Sequence, residues 1–385
     1  MSGALLERLG LQGLALAPSQ AWNGVRLVPL IRAGAPGDLR LAKRTYGEAA
    51  MVVSLDGELL DGGVKYISYV PHGLVVSWTD DGSPAASFGA SMASHDGKRF
   101  GTCVRVAHRM ARREDRNRLR LLPLHLAMEG FLALHFGGPD VAWAEYSRQA
   151  ISRGLDPRQE SSVPGRAIRG LEDALRVFEI HEDQVGVLVF VADAFASAFV
   201  VSHPDDYREL HRSLLEDFYG ELMYHYGLSG TSGHMEAGLD ASGVRSLDDL
   251  ERALGSMRAA WADFHEYMAA GIFDRALTST KVYRCGPFQL QRFSTALDHQ
   301  AEKHIGEAIV RADGTVEYLK TYRLSAAQTR RAVLLNSLAA HNWNIDATAG
   351  ALRQSREDLV RRLEKAHFGY LLKDHVLHEA RRRRR

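Results

Sequence analysis

The spacing of apolar residues changes along the chain from a strand pattern to a helical one. Near the N-terminus, short runs of β-branched and aromatic residues alternate with turn pairs such as Asp56-Gly57 and Asp81-Gly82. Runs of this kind, bounded by turn residues, predict β-strands. The predicted strands lie at residues 25–31, 51–55, 64–70 and 74–78. We expect an antiparallel sheet in this first part.

The middle of the N-terminal half predicts helices and then two buried strands. Helical periodicity indicates three helices, at residues 123–136, 141–153 and 168–178. Two nearly continuous apolar runs follow and predict a pair of buried strands, at residues 185–191 and 195–201. Pro204 opens a long predicted helix to about residue 226. We interpret residues 20–227 as one α+β domain with a mixed or antiparallel sheet.

A second, smaller α+β pattern follows a Gly/Ser-rich stretch. Residues 228–245 have no apolar period, which predicts a flexible linker. Ser246 then caps a predicted helix, and four strand candidates come after it, at 278–283, 288–293, 305–311 and 316–322. The last two flank Asp313-Gly314, a hairpin signal because glycine tolerates positive φ. We interpret residues 246–323 as a small helix-plus-sheet module.

The last part of the chain predicts two short helices separated by a tight break. Asn344 caps the first, whose apolar positions follow the spacing of one helical face: 345, 348, 349 and 352. Ser355 is a good cap for the second helix. That helix places three apolar residues inward, Leu359, Val360 and Leu363. Its opposite face is basic, as in a helix that enters a DNA groove.

This arrangement resembles the Fis-type helix-turn-helix of bacterial enhancer-binding regulators. The resemblance rests on Trp343-Asn344, Ala347, Ala349, Leu352, Ser355-Arg356, Leu359 and Leu363. It implies an all-α, tri-helical unit at residues 325–380 that acts as a homodimer and binds duplex DNA. The second helix would read base edges, and the DNA-facing residues that the resemblance implies are Ser355, Arg356, Arg361, Arg362 and Lys365.

The same segment departs from the Fis-type pattern in two places. Arg353 and Gln354 occupy the turn, where such motifs usually have Gly and an apolar residue. Glu357 and Asp358 begin the reading helix, where they suit the helix dipole but repel phosphates. The alternative interpretation is a three-helix unit for dimerisation or docking.

The distribution of charge favours nucleic acid as the partner of the C-terminal part. Residues 325–385 hold thirteen Lys and Arg against six Asp and Glu, a net charge of +7, whereas the whole chain is +1. The basic tail, 381–385, is five arginines. Phosphate contacts by such a tail add sequence-independent, salt-sensitive affinity. A solvated tail without a partner is the alternative.

The N-terminal domain resembles a second family, the bacterial ARPP domains, named for their association with ADP-ribosylglycohydrolases and rhodanese-phosphatase proteins. The resemblance rests on VRLVPLIR at 25–32, the turns Leu55-Asp56-Gly57 and Asp61-Gly62-Gly63, and the strand at Val185-Gly186-Val187. It covers residues 20–227. It implies gene neighbourhoods that handle NAD-derived or ADP-ribose-like compounds, and it implies no particular reaction.

One basic segment of this domain is a candidate anion site. Residues 98–120 contain nine Lys and Arg against two acidic residues. Guanidinium groups suit phosphate oxygens. A cradle for a phosphorylated ligand would use Arg105, His108, Arg109, Arg112 and Arg113. A solvated, salt-bridged surface is the alternative.

Other titratable residues fit structural roles better than chemical ones. His125 and Glu129 share a predicted helix face, with His135 after them, but spacing fixes no third metal ligand, so a hydrogen-bonded histidine is favoured. The segments 181–183 and 203–206 bracket the predicted strand pair, and we favour turn and cap roles for them. No metal or cofactor is predicted.

The composition of the chain and the motifs that it lacks restrict the classes of function that it can have. A chain of 385 residues with 45% hydrophobic and 25% charged residues is typical of a multidomain globular protein. Two distant cysteines, the absence of a signal pattern and the lack of a membrane span favour the cytoplasm, with nucleoid association if the protein binds DNA. The sequence has no Walker, GxGxxG or GxSxG motif, and no catalytic residue emerges.

Two functions follow as hypotheses. The first is a DNA-binding transcriptional regulator with an N-terminal sensor or scaffold domain, which favours a non-enzyme. The alternative is a binding protein or enzyme for a nucleotide-derived small molecule, whose C-terminal helices only dimerise or dock. A third combines them, with such a molecule as effector of DNA binding.

Overall fold

The computed structural model describes parts of the first half of the chain and most of its second half. Its described residues are 9–34, 39–41, 64–66, 74–78, 84–88, 102–105, 120–121, 132, 135–136, 170–192, 194–227, 239–273, 275–285, 287–297 and 303–382. The predicted strand at 51–55 and helix at 141–153 lie outside them. The chain divides into two compact units. The first contains residues 1–43, 58–66 and 163–324, and the second contains residues 44–57, 67–162 and 325–385.

Fifteen strands run through the described residues. In chain order they are β1 Ala15–Leu16, β2 Gln20–Trp22, β3 Val25–Ile31, β4 Leu39–Leu41, β5 Val64–Tyr66, β6 Leu74–Trp78, β7 Pro84–Phe88, β8 Thr102–Arg105, β9 Arg120–Leu121, β10 Gln184–Val191, β11 Ala194–Val200, β12 Leu277–Cys285, β13 Phe288–Thr295, β14 His304–Arg311 and β15 Val316–Arg323. The predicted strands that lie among the described residues are confirmed, the strand at 64–70 only over residues 64–66, and β6 has the predicted bounds. Their β-branched and aromatic residues suit a pleated, half-buried surface.

The first unit is built on one large antiparallel sheet. Among the described residues it has nine strands in the order β1-β3-β10-β11-β15-β14-β13-β12, with β2 also paired to β3. Every residue of β10 is buried, as the continuous apolar run predicts for a central strand. One sheet face carries the main hydrophobic cluster, which includes Phe190, Phe293 and Leu319. An antiparallel sheet and the mixed α+β class are therefore confirmed.

Strand pairing crosses the segment that separates the two predicted modules. β11 precedes residues 228–245 and β15 follows them, yet Ser197 pairs with Tyr322 and Val200 with Leu319. Strands from the predicted segments 20–227 and 246–323 thus share one sheet. Local sequence patterns do not reveal this pairing, because the two strands lie more than a hundred residues apart. Residues 228–238 of the predicted linker lie outside the described residues.

The helices of the first unit are α1 Leu171–Val177, α2 Pro204–Ser213, α3 Gly220–Tyr226 and α4 Leu247–Phe273. A π-helical segment, Leu214–Phe218, joins α2 to α3. The single long helix predicted from Pro204 is therefore wrong in its middle. The Tyr219 amide donates to Leu214 O at 2.9 Å, and the wider turn leaves Leu214, Leu215, Phe218 and Tyr219 all buried.

The π-helical segment packs on the sheet face opposite the main hydrophobic cluster. Phe218 lies 6.4 Å from Phe199 of β11, measured between ring centroids. Ser197 and Tyr219 share a hydrogen bond of 2.9 Å. The sheet is consequently covered on this side by Phe218 of the π segment and by Tyr219, which follows it.

The second unit contains a four-stranded antiparallel sheet, in the order β8-β7-β6-β9, and the C-terminal helices. These helices are α5 Ala326–Ala340, α6 Ile345–Ala351, α7 Arg356–Lys365 and α8 Asp374–Arg382, with a 3-10 turn at Gly369–Leu371. No helix in the described part of the chain is both long and apolar enough to cross a bilayer.

Candidate functional site

The first three C-terminal helices, α5, α6 and α7, begin at side chains that cap them. The Ser325 hydroxyl accepts from the Gln328 amide, and the Gln328 side chain accepts from the Ser325 amide at 2.8 Å, a reciprocal capping box at the start of α5. Asn344 Oδ1 accepts from the Ala347 amide at 3.0 Å and starts α6. Both predicted caps of the helix pair, Asn344 and Ser355, are confirmed.

The turn between α6 and α7 depends on one left-handed residue. Arg353 has φ 53°, a conformation that favours glycine and is uncommon for other residues. The Gln354 amide donates to Ala349 O at 3.0 Å, and the Arg353 amide donates to Gly350 O at 3.1 Å. These bonds satisfy carbonyls at the end of α6 and return the chain tightly toward α7.

The helix α7 has one buried and one exposed face. Leu359, Val360 and Leu363 are at most 1% exposed and form the inner face, as predicted. Arg362 and Lys365 are exposed. Because α7 packs against α6 and α8, its orientation is fixed by neighbours on the inner side while the basic residues face water.

Three of the five predicted DNA-facing residues make contacts within the C-terminal helices. Ser355 caps α7, and its hydroxyl also lies 2.7 Å from Asp358 Oδ2. Arg356 Nη1 binds both carboxylate oxygens of Asp346, at 3.1 and 2.8 Å. Arg361 pairs with Asp358 and also donates to Glu357 O at 3.3 Å. These ion pairs were not foreseen from the sequence.

Electrostatics at the start of α7 favour the charged carboxylate. The Ser355 hydrogen bond, together with the charge of Arg361, lowers the pKa of Asp358 below its usual value. Asp358 therefore stays ionised near neutral pH. Its negative charge sits at the helix N-terminus, where the helix dipole stabilises it.

The predicted anion cradle falls mainly on residues outside those described. Arg105 ends β8. His108, Arg109, Arg112 and Arg113 lie outside the described residues, as do His125 and Glu129. His135 is half-buried beside Phe136, with ring centroids 4.9 Å apart. Within the described residues, no group of three or more metal-ligating side chains comes together.

The predicted cap role of His203 is confirmed. His203 Nδ1 accepts from the Asp205 amide at 3.2 Å and caps α2, whose first turn carries Asp205 and Asp206. Glu182 and Asp183 form the turn before β10, and Asp183 has φ 59°. These residues therefore shape the chain around the central strands.

The first unit holds a row of three charges that the sequence did not reveal, in which Glu307 and Lys320 are buried and Arg292 is half-buried. In the register of the sheet, Arg292 of β13 lies opposite Glu307 of β14, and Glu307 lies opposite Lys320 of β15. Lys320 Nζ lies 2.9 Å from Glu307 Oε1, and neither side chain is exposed. The Tyr318 hydroxyl donates to the same oxygen at 3.2 Å. Burial lowers the pKa of Lys320 to about 8, although Glu307 partly opposes this effect.

A second buried cluster lies where β3, β14 and β15 approach one end of the sheet. Arg32 Nη1 is 2.5 Å from Glu317 Oε2, and Arg311 pairs with the other carboxylate oxygen. The Ser202 hydroxyl donates to Glu317 O at 3.2 Å. Arg311 also stacks over Phe288 at 4.7 Å. Two guanidinium groups thus share one fully buried carboxylate.

The family model ARPP-2 matches residues 9–286, more than half of the chain. The chain belongs to the ARPP-2 family. This confirms the ARPP resemblance of the N-terminal part and extends it beyond residues 20–227. No curated protein and no solved structure matches the chain. No Fis-type family match accompanies the C-terminal helices, so that resemblance stays a prediction.

The ARPP-2 match and the large sheet do not end together. The match stops at residue 286, between β12 and β13. Strands β13, β14 and β15 nevertheless complete the same sheet and supply Arg292, Glu307 and Lys320. The sequence of any one strand does not predict this row of charges, because each strand contributes only one charged residue to it.

Proposed function

We propose that this ARPP-2 family protein binds duplex DNA through α7 and acts as a homodimeric transcriptional regulator. One observation carries the proposal: exposed Arg362 and Lys365 lie on the side of α7 opposite buried Leu359, Val360 and Leu363. A helix with one face packed against the protein and a basic face exposed to solvent suits binding in a major groove. The net charge of +7 over residues 325–385 supports the same partner.

The ion pairs on this surface are compatible with DNA binding. The Arg356–Asp346 pair is 42% and 65% exposed, and the Arg361–Asp358 pair is 35% and 55% exposed. Exposed pairs of this kind stabilise a protein by about 0–1 kcal/mol. A phosphate offers the same guanidinium a charged acceptor at a small exchange cost. Asp346 and Asp358 would then act as weak competitors of the phosphate backbone.

The turn supports the helix-turn-helix interpretation despite its unusual residues. Arg353 stands where such motifs usually have glycine, and its φ of 53° is the glycine-favoured backbone conformation. The turn therefore differs from the Fis-type pattern in residue type, while Arg353 keeps the backbone conformation that a glycine would adopt there. In a symmetric dimer, the two copies of α7 would enter successive major grooves about 34 Å apart.

The test compares two double variants with equal loss of charge. Arg362→Ala with Lys365→Ala removes two exposed cations from α7. Arg176→Ala with Arg258→Ala removes two exposed cations from α1 and α4 of the first unit. Fluorescence anisotropy with a random-sequence 30-base-pair duplex at about 50 mM salt should show at least roughly ten-fold weaker binding for the first variant only.

Equal affinity of the two variants would reject DNA binding through α7. Wild-type protein that does not bind duplex at this salt would reject the whole proposal. Size-exclusion chromatography with light scattering tests the dimer separately, since a monomer at micromolar concentration contradicts the symmetric arrangement.

A second candidate function is binding of a nucleotide-derived small molecule by the first unit. The observation that favours it is the buried cluster of Arg32, Arg311 and Glu317, in which guanidinium charge exceeds carboxylate charge. Guanidinium groups are common phosphate ligands. Thermal unfolding with NAD or ADP-ribose should then show stabilisation that disappears in Arg311→Ala, which removes one guanidinium group of this cluster. A ligand that also changes DNA affinity would make it the effector.

A further inference from the structure

The structure places a fourth helix against the end of the proposed reading helix. α8 packs against α7, and Ala380 of α8 is 5% exposed. Arg381 Nε lies 2.9 Å from Glu364 Oε1, and Arg381 Nη2 binds the same oxygen. The two residues are separated by seventeen positions in sequence, so this contact joins the last turn of α8 to α7.

Basic residues from both helices gather around this contact. Arg361 lies one helical turn before Glu364, and Lys365 follows it directly. Arg381 and Arg382 form the basic last turn of α8. Of these four cations, Arg381 binds Glu364, Arg361 pairs with Asp358, and Arg382 and Lys365 are exposed. Glu364 binds Arg381 and reduces the repulsion that would otherwise push the two basic turns apart.

We propose that the C-terminal half of α7 and the last turn of α8 form one phosphate-binding surface, and that Glu364 is its positioning residue. The surface comprises Arg361, Lys365, Arg381 and Arg382, and it faces the backbone of the same duplex that α7 contacts; in sequence, the arginine run 381–385 continues from it. This inference rests on the proposed DNA-binding function. It assigns to α8 a role beyond the three helices of the predicted unit.

A duplex suits this surface for a physical reason. A DNA backbone presents a continuous row of phosphates, so cations on two neighbouring helices can each neutralise one. Each neutralised phosphate releases counterions, and the logarithm of the binding constant then falls with the logarithm of salt by about 0.9 per contact. The tail and the α8 arginines should therefore contribute to the salt slope without sequence preference.

Charge-neutralising variants separate positioning from bulk electrostatics. Glu364→Gln keeps every arginine and makes the protein more positive by one charge. Glu379→Gln makes the same change of charge on the exposed part of α8 and is the matched control. If Glu364 positions the surface, Glu364→Gln lowers the salt slope and weakens duplex binding at about 100 mM salt by roughly three-fold or more, while Glu379→Gln does not weaken it.

Tail variants measure the size of the phosphate surface. Changing Arg382, Arg383, Arg384 and Arg385 together to Ser should lower the salt slope by about 2 to 4, with the same loss on every duplex sequence. Thermal unfolding and circular dichroism check that each variant still folds. Vesicles of neutral and anionic phospholipid serve as the competing surface in the same titrations.

The outcomes distinguish this inference from the proposed function. If Glu364→Gln binds duplex as tightly as Glu379→Gln or more tightly, the positioned surface is rejected, while weakening by Arg362→Ala with Lys365→Ala keeps the function of α7. If only the tail variant loses affinity, α7 is not the DNA-reading helix and both ideas fail. Tail-dependent binding to anionic vesicles without duplex binding also rejects the inference.

Discussion

The C-terminal helices and the large sheet of the first unit place their charges in opposite ways. On α7, basic residues are exposed and their ion pairs reach water, as for Arg356 and Asp346. In the sheet, Lys320 and Glu307 are fully buried and paired. Exposed charges are free to change partners at small cost, whereas buried ones are fixed by their desolvation. We therefore expect changes in the C-terminal helices to alter binding and changes in the sheet to alter stability.

The largest expected effect comes from breaking the buried pair. Glu307→Gln removes the carboxylate that Lys320 contacts and leaves a buried ammonium with a poorer partner. Breaking one side of a buried pair costs about 3–5 kcal/mol. Urea unfolding followed by tryptophan fluorescence should show this loss of unfolding free energy.

The double variant Glu307→Leu with Lys320→Met is the control for that loss. Replacing both charges with apolar residues of similar volume is often neutral. The double variant should be more stable than Glu307→Gln. If both variants unfold at the same urea concentration, the loss of stability in Glu307→Gln does not come from leaving Lys320 without its buried partner.

A pH-dependent loss of stability comes next. His304 is buried, and burial together with the charges of Arg323 and Arg275 lowers its pKa to about 3. The unfolded chain, with a pKa of 6.5, binds more protons between pH 6.5 and 3, so stability falls as pH falls through this window. His304→Gln should reduce the slope by up to about 1.4 kcal/mol per pH unit.

The exposed His378→Gln is the matched control for this titration. Burial also lowers the pKa of His211, so His304→Gln should keep part of the acid sensitivity. Equal slopes for wild type and His304→Gln, measured by urea unfolding from pH 4 to 7, would show that His304 is accessible to protons in the folded protein.

A smaller effect is expected at the cap of α7. Ser355→Ala removes the hydroxyl that accepts from the Asp358 amide at 3.1 Å. Loss of such a cap costs about 1 kcal/mol. Hydrogen exchange should become faster for the α7 amides and stay unchanged in β10 and β11. Uniform acceleration over the whole chain would contradict a local role.

The smallest expected effect is a gain of stability at the α6–α7 turn. Arg353→Gly places glycine at φ 53°, where a side chain is disfavoured. The relief is partly offset by the greater freedom of glycine in the unfolded chain, so the gain should stay below about 1 kcal/mol. Thermal unfolding measures it. A loss of stability would mean that the Arg353 side chain makes contacts that outweigh the backbone strain.

Prediction from sequence succeeded where the deciding residues are neighbours in the chain. Ser355 caps α7 three residues before its bonding partner, and Asp313 accepts from the Thr315 amide at 2.9 Å within the β14–β15 hairpin. Such contacts depend on residue types a few positions apart. The same reasoning missed the π segment after α2, because its wider turn depends on the sheet beneath it.

Prediction of the candidate site was correspondingly partial. The apolar inner face of α7 was foreseen from spacing alone. The contacts of Arg356 with Asp346 and of Arg381 with Glu364 were not, because they join residues ten and seventeen positions apart on different helices. The anion cradle around Arg109 stays a prediction.

By itself, the sequence determined seven of the nine described strands of the large sheet, the capped helices α5 to α7, the α+β class and the ARPP resemblance, since each depends on local spacing and residue type. Only the tertiary structure decided that β11 pairs with β15 and that half-buried Arg292 and buried Glu307 and Lys320 form one row across three strands. It also decided that α8 meets α7 at Glu364. These arrangements depend on which distant surfaces exclude water together, and no short window of sequence contains that information.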